Sequence, residues 1–184
     1  MRAMIIPGNE NADMSQAWYP YVKKELERLG IKVIAKNMPD ADLARKEYWL
    51  PFIEQQLEED ADSILIGHSS GAVAAMRYLE NHKAVGAVLV SAEYTDLNNE
   101  KEKISGYYDE TWRWNKIKKN AKWIIQFHST DDPFIPAEEA RFIHQQLSTE
   151  YHEFSNQSHF WAIGNLIKDK FPEIIEAIRK KLNK

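Results

Sequence analysis

Short runs of apolar residues recur along this chain, separated by longer segments with helical periodicity. The apolar runs lie at residues 3–6, 31–35, 63–66, 84–90 and 123–127. Runs of this length with few interposed polar residues are typical of strands that are buried on both faces of a sheet. Residues 150–154 are a candidate sixth strand, at an edge of the same sheet.

The segments between these runs predict helices. The first segment places Trp18, Val22, Leu26 and Leu29 on one stripe, and Gly30 follows as a helix stop. Further helices are predicted at residues 40–57, 72–80, 138–147 and 172–182, with Pro51 beginning the second half of the 40–57 segment. Strands that alternate with helices form right-handed βαβ units. The chain therefore predicts an α/β fold: a mostly parallel sheet of five to six strands, flanked by helices on both faces.

Residues 92–120 depart from this alternation, because polar residues there are mixed with several aromatic ones. We expect an excursion of loop and helix over the carboxyl edge of the sheet, near the functional site. The aromatic side chains are equally consistent with a wall of a small-molecule pocket and with surface anchors for an irregular loop. The length of 184 residues, without repeats or linkers, favours one domain over residues 1–184.

Composition and charge exclude several classes of function. The chain has no cysteine, which excludes disulfides, thiolate metal sites and a cysteine nucleophile. Its 24 basic and 28 acidic residues are spread along the chain, which argues against a nucleic-acid partner. No segment reads as a signal peptide or reaches the ~18 apolar residues of a membrane span. We therefore expect a cytoplasmic protein with a small-molecule substrate, no metal or cofactor, and no membrane or nucleic-acid partner.

Residues 63–75 carry the most informative motif, a Gly-x-Ser-x-Gly centred on Ser69 between an apolar strand and an alanine-rich helix. In this setting a tight elbow strains the backbone of the serine, and glycines on either side avoid Cβ clashes. The hydroxyl of Ser69 is then exposed beside a helix N-terminus, and the backbone N–H of Ser70 faces a developing oxyanion. Two alternatives stay open: Ser70 as the nucleophile, and a strand-to-helix turn without chemistry.

A serine nucleophile needs a neutral histidine as its base. The histidines that follow Ser69 are His82, His128, His144, His152 and His159. His82 and His144 are expected at surface positions, after a helix and within one, and His152 in the edge strand. His159 lies in the loop before the final helix, at the carboxyl edge. We predict His159 as the base, with a structural hydrogen bond from a loop histidine as the alternative.

The acid should follow the strand at residues 123–127, because the chain order of such a triad is serine, acid, histidine. Two adjacent aspartates, Asp131 and Asp132, occupy that place, and only one is expected to reach His159. We favour Asp132, because an acid followed by a turn, an apolar residue and proline is the usual arrangement in α/β-hydrolases. Asp131 stays an alternative and is expected to shape the turn.

The second oxyanion donor should come from the loop after the first strand, residues 7–11. Gly8 permits close approach of the backbone, so the amide of Asn9 is the first candidate and Glu10 the next. The position of this loop after the first strand, more than its short motif, supports the assignment.

These and further stretches closely resemble the retinoblastoma-binding protein nine family of small serine hydrolases. The matching motifs are Pro-Gly-Asn at 7–9, Trp-Tyr at 18–19, Val-Lys-Lys-Glu-Leu at 22–26, Lys-Asn-Met-Pro-Asp at 36–40, Trp-Leu-Pro-Phe at 49–52, Ile-Gly-His-Ser-Ser-Gly at 66–71, Ala-Ala-Met-Arg-Tyr at 74–78, Ser-Gly-Tyr at 105–107, Trp112 with Trp114, and Ser-Thr-Asp-Asp-Pro-Phe at 129–134. The resemblance spans nearly the whole chain. It implies a compact α/β-hydrolase fold without a large cap domain, and it carries the family's triad onto Ser69, Asp132 and His159.

Two departures from the family pattern bear on partners and on the pocket. The family's binding to the retinoblastoma protein is attributed to a Leu-x-Cys-x-Glu segment, and here residues 57–61 read Leu-Glu-Glu-Asp-Ala. Since the cysteine and the glutamate are both missing, this partner is not supported. Residues 10–13 read Glu-Asn-Ala-Asp where some relatives have glycines, which leaves the second oxyanion donor open.

The residues together predict a serine hydrolase that forms an acyl-enzyme intermediate, and the resemblance implies small ester or aminoacyl amide substrates. Carboxylesterase-like and aminopeptidase-like activities both fit. The alternative is a hydrolase-fold interaction module with weak or vestigial activity. A nucleotide-binding flavodoxin-like domain fits less well, because no Gly-x-Gly-x-x-Gly or Gly-Lys-Ser/Thr motif follows any strand.

Overall fold

The computed structural model describes residues 1–58 and 60–182 and contains a six-stranded sheet. The strands are β1 (Arg2–Ile6), β2 (Lys32–Ile34), β3 (Ser63–His68), β4 (Ala84–Val90), β5 (Ala121–Ser129) and β6 (Glu150–Phe154). Their order is β2-β1-β3-β4-β5-β6, and every neighbouring pair is parallel. The predicted parallel sheet and the edge position of the sixth strand are confirmed. Glu59, within the segment 57–61, lies outside the described residues.

Helices cover both faces of this sheet, as the strand and helix alternation predicts. They are α1 (Tyr19–Arg28), α2 (Lys46–Leu57), α3 (Ser70–Leu79), α4 (Glu100–Ser105), α5 (Trp114–Asn120), α6 (Ala137–Leu147) and α7 (Pro172–Leu182). The core on one face is built with α1 and α7, and the core on the other with α2, α3, α5 and α6. Every residue of β3 and β4 is buried, which explains the apolar runs at residues 63–66 and 84–90.

The helix predicted over residues 40–57 begins only at Lys46. Asp40 and Ala44 have φ of 48° and 51°, in the left-handed region that a helix cannot use. The Asp40 carboxylate instead accepts hydrogen bonds from the backbone and side chain of Arg45, the residue before α2. The prediction that Pro51 starts a second half was wrong, because α2 runs through Pro51 without a break.

The aromatic segment 92–120 contains two short helices, α4 and α5. Tyr107, Trp112 and Ile117 are buried in the core, so part of the segment packs against the sheet face. A further pair of short antiparallel strands, β7 (Ala162–Ile163) and β8 (Leu166–Ile167), follows β6. The sequence reasoning did not foresee this pair.

The carboxyl ends of the six strands meet at one edge of the sheet, because all of them run in the same direction. The loops after β1, β3, β4, β5 and β6 therefore lie side by side there. Ser69, Asp132 and His159 each belong to one of these loops. Within the described residues, no helix combines the length and apolarity that crossing a membrane requires.

Candidate active site

Ser69 occupies a strained turn between β3 and α3. Its φ of 55° and ψ of −126° lie outside the conformations that non-glycine residues readily adopt. A Cβ on Gly67 would lie 2.6 Å from the nitrogen of Ala72, and a Cβ on Gly71 would overlap the carbonyl oxygen of Ile6. Both flanking glycines are therefore required by the close approach of strand and helix. The strand, elbow and helix thus present Ser69 at the carboxyl edge.

Two backbone amides near Ser69 are candidate donors to an oxyanion. Ser70 is the first residue of α3, so its N–H has no acceptor within the helix and lies at the positive end of the helix dipole. A Cβ on Gly8 would lie 3.4 Å from the Cβ of Ser69, which puts the loop after β1 directly beside the serine. Among the described residues the N–H of Asn9 has no acceptor, whereas the N–H of Glu10 donates to a backbone carbonyl at 3.2 Å. Asn9 is accordingly the freer of the two candidate donors.

Asp132 and His159 form a buried hydrogen-bonded pair. Asp132 Oδ2 lies 2.8 Å from His159 Nδ1, with the Asp132 side chain fully buried and the His159 side chain 13% exposed. Since a carboxylate only accepts hydrogen bonds, Nδ1 carries the proton and Nε2 is left as the basic nitrogen. Burial works to raise the pKa of Asp132, but the hydrogen bond and charge of His159 and the amides of Phe134 and Ile135 outweigh it and lower that pKa. The pair keeps the Asp132 carboxylate ionised and fixes the orientation of the His159 ring.

The adjacent Asp131 faces away from the histidine. Its Oδ1 accepts hydrogen bonds from Ser129 Oγ at 2.5 Å and from the N–H of Ser158 at 3.1 Å. These bonds, with the first as the largest cause, lower the pKa of Asp131. Asp131 therefore ties the turn after β5 to the loop that carries His159.

The structure brings Asp132 and His159 together and sets Ser69 in the neighbouring loop, but no hydrogen bond joins Ser69 to His159 within the described residues. Catalytic hydrogen bonds in ligand-free enzymes are often long and shorten when substrate binds. The competing serine, Ser70, is 1% exposed and its hydroxyl is buried without a hydrogen-bond partner among the described residues. Ser69 is thus the more accessible of the two.

The other candidate histidines have partners elsewhere. Ring nitrogens of His82, His128, His144 and His152 lie within hydrogen-bond distance of Glu54, the Ile135 carbonyl, Thr149 and Glu150, respectively. His128 is fully buried in β5, and burial lowers its pKa. None of these four histidines forms a hydrogen bond with Asp132 in the described part of the chain.

His68, the variable residue of the Gly-x-Ser-x-Gly motif, is a site residue that the sequence reasoning missed. Its Nε2 lies 2.8 Å from the backbone oxygen of His159, and its Nδ1 lies 2.8 Å from the hydroxyl of Tyr19. Burial lowers the pKa of His68 to about 3. A histidine between glycine and serine gives no sequence signal of such partners, because both contacts depend on how distant segments pack.

A pair of buried carboxyl groups also lies behind the loop after β1. The Tyr108 hydroxyl is 2.9 Å from Glu93 and 3.3 Å from Glu102, and Glu102 accepts a hydrogen bond from the side chain of Asn9 at 2.9 Å. Burial, followed by the charge of Glu102, raises the pKa of Glu93 well above its ordinary value. Burial likewise raises the pKa of Glu102. The pair anchors the residue whose amide is the second oxyanion candidate.

The aromatic segment lines a surface cleft of about 450 Å³. Its aromatic lining residues are Tyr94, Tyr108, Trp112, Trp114 and Phe142. Tyr108 connects this cleft with the Glu93 and Glu102 pair. In residues 1–58 and 60–182 no three histidine, aspartate or glutamate side chains are grouped so as to hold a metal ion.

Comparison with known proteins gives consistent matches along the whole chain. A sequence model described as serine hydrolase matches residues 3–173. Serine hydrolase RBBP9 from Rattus norvegicus is 44% identical over 183 residues, which cover 98% of this chain and 95% of the relative. The crystal structure of the ydeN gene product from Bacillus subtilis superposes with a TM-score of 0.88 at 24% identity, covering 100% of this chain and 99% of that one. Est1E from Butyrivibrio proteoclasticus superposes with a TM-score of 0.77 at 14% identity, covering 100% and 88%.

Proposed function

The chain belongs to the serine hydrolase family, as the resemblance in its sequence predicted, and we propose that it cleaves small ester or amide substrates through Ser69, His159 and Asp132. The single observation that carries this proposal is the 2.8 Å contact between His159 Nδ1 and Asp132 at the same sheet edge as a serine held at φ 55°. A buried carboxylate paired with a histidine beside a strained serine has the parts that acyl transfer needs.

In the first step, the Ser69 hydroxyl attacks the carbonyl carbon of the substrate. His159 Nε2 takes the hydroxyl proton, and the Asp132 carboxylate stabilises the resulting imidazolium. Because four donors hold Asp132, from Ser91, the amides of residues 134 and 135, and His159 itself, the carboxylate stays in place as the charge develops. His159 then gives the proton to the leaving group.

The tetrahedral oxyanion is bound by the backbone amides of Ser70 and Asn9. Donors fixed in place before the reaction stabilise the developing charge more than mobile water does. Water then attacks the acyl-enzyme with His159 again as the base, and the acid product leaves.

The substrate class is a small acyl or aminoacyl ester or amide. Support comes from the family resemblance, which implies such substrates, and from the aromatic cleft beside the segment that anchors Asn9. Carboxylesterase-like and aminopeptidase-like preferences are both compatible with this site. A direct comparison of p-nitrophenyl acetate with an aminoacyl p-nitroanilide distinguishes the two preferences.

The test of the proposed function is labelling by a fluorophosphonate probe at neutral pH. Wild type should label and Ser69→Ala should not, while Ser63→Ala, a buried serine in β3, serves as the matched control and should label normally. Persistent labelling of Ser69→Ala would show that another serine reacts. A folded wild type that never labels would refute the enzyme and favour the interaction module.

A further inference from the structure

A continuous set of hydrogen bonds connects the loop after β1, the end of β3 and the loop after β6 at the carboxyl edge. The N–H of Gly8 lies 3.3 Å from the Tyr19 hydroxyl, which lies 2.8 Å from His68 Nδ1. His68 Nε2 in turn lies 2.8 Å from the backbone oxygen of His159. The set therefore joins the loop of Asn9, the strand end before Ser69 and the backbone of the proposed base.

The direction of each of these hydrogen bonds follows from its ends. A backbone carbonyl only accepts, so His68 Nε2 must carry a proton and donate it to His159. The ring is neutral, because burial disfavours its charged form and lowers the pKa of His68 to about 3. Nδ1 is then bare and accepts from the Tyr19 hydroxyl, whose oxygen accepts from the Gly8 N–H. Every donor in the set has one acceptor.

The surroundings of His68 hold its ring in this orientation. The ring of Trp161 is parallel to the His68 ring within 4°, with 6.2 Å between the ring centroids. The ring of Trp18 meets the His68 ring edge-on, with 5.7 Å between the centroids. The side chain of Tyr19 is fully buried, and His68 is 2% exposed. Water therefore has little access to replace either hydrogen bond if one partner is removed.

We propose that His68 and Tyr19 are positioning residues, which hold the backbone of His159 at the distance from Ser69 that proton transfer requires. The inference rests on the proposed function, because it concerns the geometry of that same triad. His68 is suited to this role because it directly precedes Ser69 in the chain and directly contacts the backbone of His159. Its ring thus sets the spacing between nucleophile and base without touching substrate.

Three substitutions separate this role from ordinary packing. Tyr19→Phe keeps the ring and removes the hydroxyl. His68→Asn places an amide near the former Nδ1 but is too short to reach the His159 carbonyl, whereas His68→Gln places an N–H donor near the former Nε2. Tyr107→Phe is the matched control, because Tyr107 is fully buried and its hydroxyl has no hydrogen-bond partner in the described part of the chain.

The measurements are the rate of fluorophosphonate labelling and kcat and KM for p-nitrophenyl acetate. We expect Tyr19→Phe and His68→Asn to lower kcat and the labelling rate by about tenfold or more, with KM within about twofold, because a small displacement of a reacting group has a large effect on rate. His68→Gln should restore kcat to within about threefold of wild type, since it retains the donor. Tyr107→Phe should behave as wild type.

Two results would overturn the inference while leaving the proposed function intact: Tyr19→Phe and His68→Asn as fast as wild type, or His68→Gln as slow as His68→Asn. A wild type that does not label at all would instead refute the proposed function. If His68→Asn does not fold, the inference is tested by Tyr19→Phe and by the protonation state of the His68 ring in wild type. Long-range ¹⁵N correlation spectra should show His68 protonated only at Nε2, and a proton on Nδ1 would refute the arrangement.

Discussion

Replacing Asp132 with asparagine changes the proton position on His159 while leaving the shape of the site intact. Asp132 Oδ1 accepts from the amides of Phe134 at 3.0 Å and Ile135 at 3.1 Å, and these donors belong to the backbone and cannot turn away. The amide oxygen of the new side chain must therefore occupy the Oδ1 position. Its NH₂ group then replaces Oδ2, which faces His159 Nδ1 at 2.8 Å.

An NH₂ group at this place donates to Nδ1 and forces the proton of the neutral imidazole onto Nε2. His159 can then no longer accept the proton of Ser69. The same change of tautomer in a Ser-His-Asp protease lowers kcat by about 10⁴, which corresponds to about 5 kcal/mol of transition-state stabilisation. We expect a loss of this size for Asp132→Asn, with KM and the melting temperature close to those of wild type.

The assay is hydrolysis of p-nitrophenyl acetate with wild type, Asp132→Asn and Asp131→Asn as the matched control. Asp131→Asn should stay within about threefold of wild type, because an amide oxygen can still accept from Ser129 and Ser158. If Asp132→Asn kept more than about a hundredth of the wild-type kcat, the assignment of the acid would be refuted. A large loss in Asp131→Asn alone would transfer the role to Asp131.

Three further predictions concern folding. Gly71→Ala should destabilise the fold by about 3 kcal/mol, because its Cβ would overlap the Ile6 carbonyl, and an unchanged melting temperature would refute this. The pKa of His68, lowered to about 3, means that the unfolded chain binds a proton first as pH falls. The contribution of His68 to the unfolding free energy should therefore decrease below about pH 6.5, by about 2 kcal/mol between pH 7 and pH 5, and it is measured as the difference between urea titrations of wild type and His68→Gln at each pH. The pKa of Glu93 is raised by burial and then by Glu102, so the folded chain keeps a proton that the unfolded chain loses above about pH 4.5. The contribution of Glu93 to the unfolding free energy should therefore decrease as pH rises above about 4.5, and urea titrations of Glu93→Gln should lack this decrease.

The sheet could be predicted because its central strands appear in the sequence as short runs of apolar residues. Strands buried on both faces, such as β3 and β4, are rich in apolar side chains, and the helices between them need an apolar stripe. The start of α2 was missed, because apolar periodicity does not reveal the left-handed conformation of Asp40 and Ala44 or the hydrogen bond from Arg45 to the Asp40 carboxylate. The pair β7 and β8 was missed as well, since two-residue strands have no period to detect.

The residues of the candidate site divide in the same way. The elbow could be located from the sequence, since a strained turn between strand and helix needs both glycines within a few residues of Ser69. No comparable motif in the sequence marks Glu93 or Glu102. They are ordinary polar residues in the sequence, and only burial beside Tyr108 makes them unusual.

The parallel α/β architecture, the elbow at Ser69 and the order of the candidate residues could be predicted from the chain alone, because each depends on residues that are neighbours in sequence. The packing of distant segments was needed to show that Asp132 rather than Asp131 contacts the His159 ring, and that His68 contacts the His159 backbone. These contacts join residues that are 27 and 91 positions apart. Their geometry is fixed by the order of the strands and the packing of the loops at one sheet edge. Neither of these can be inferred from the spacing of residues along the chain.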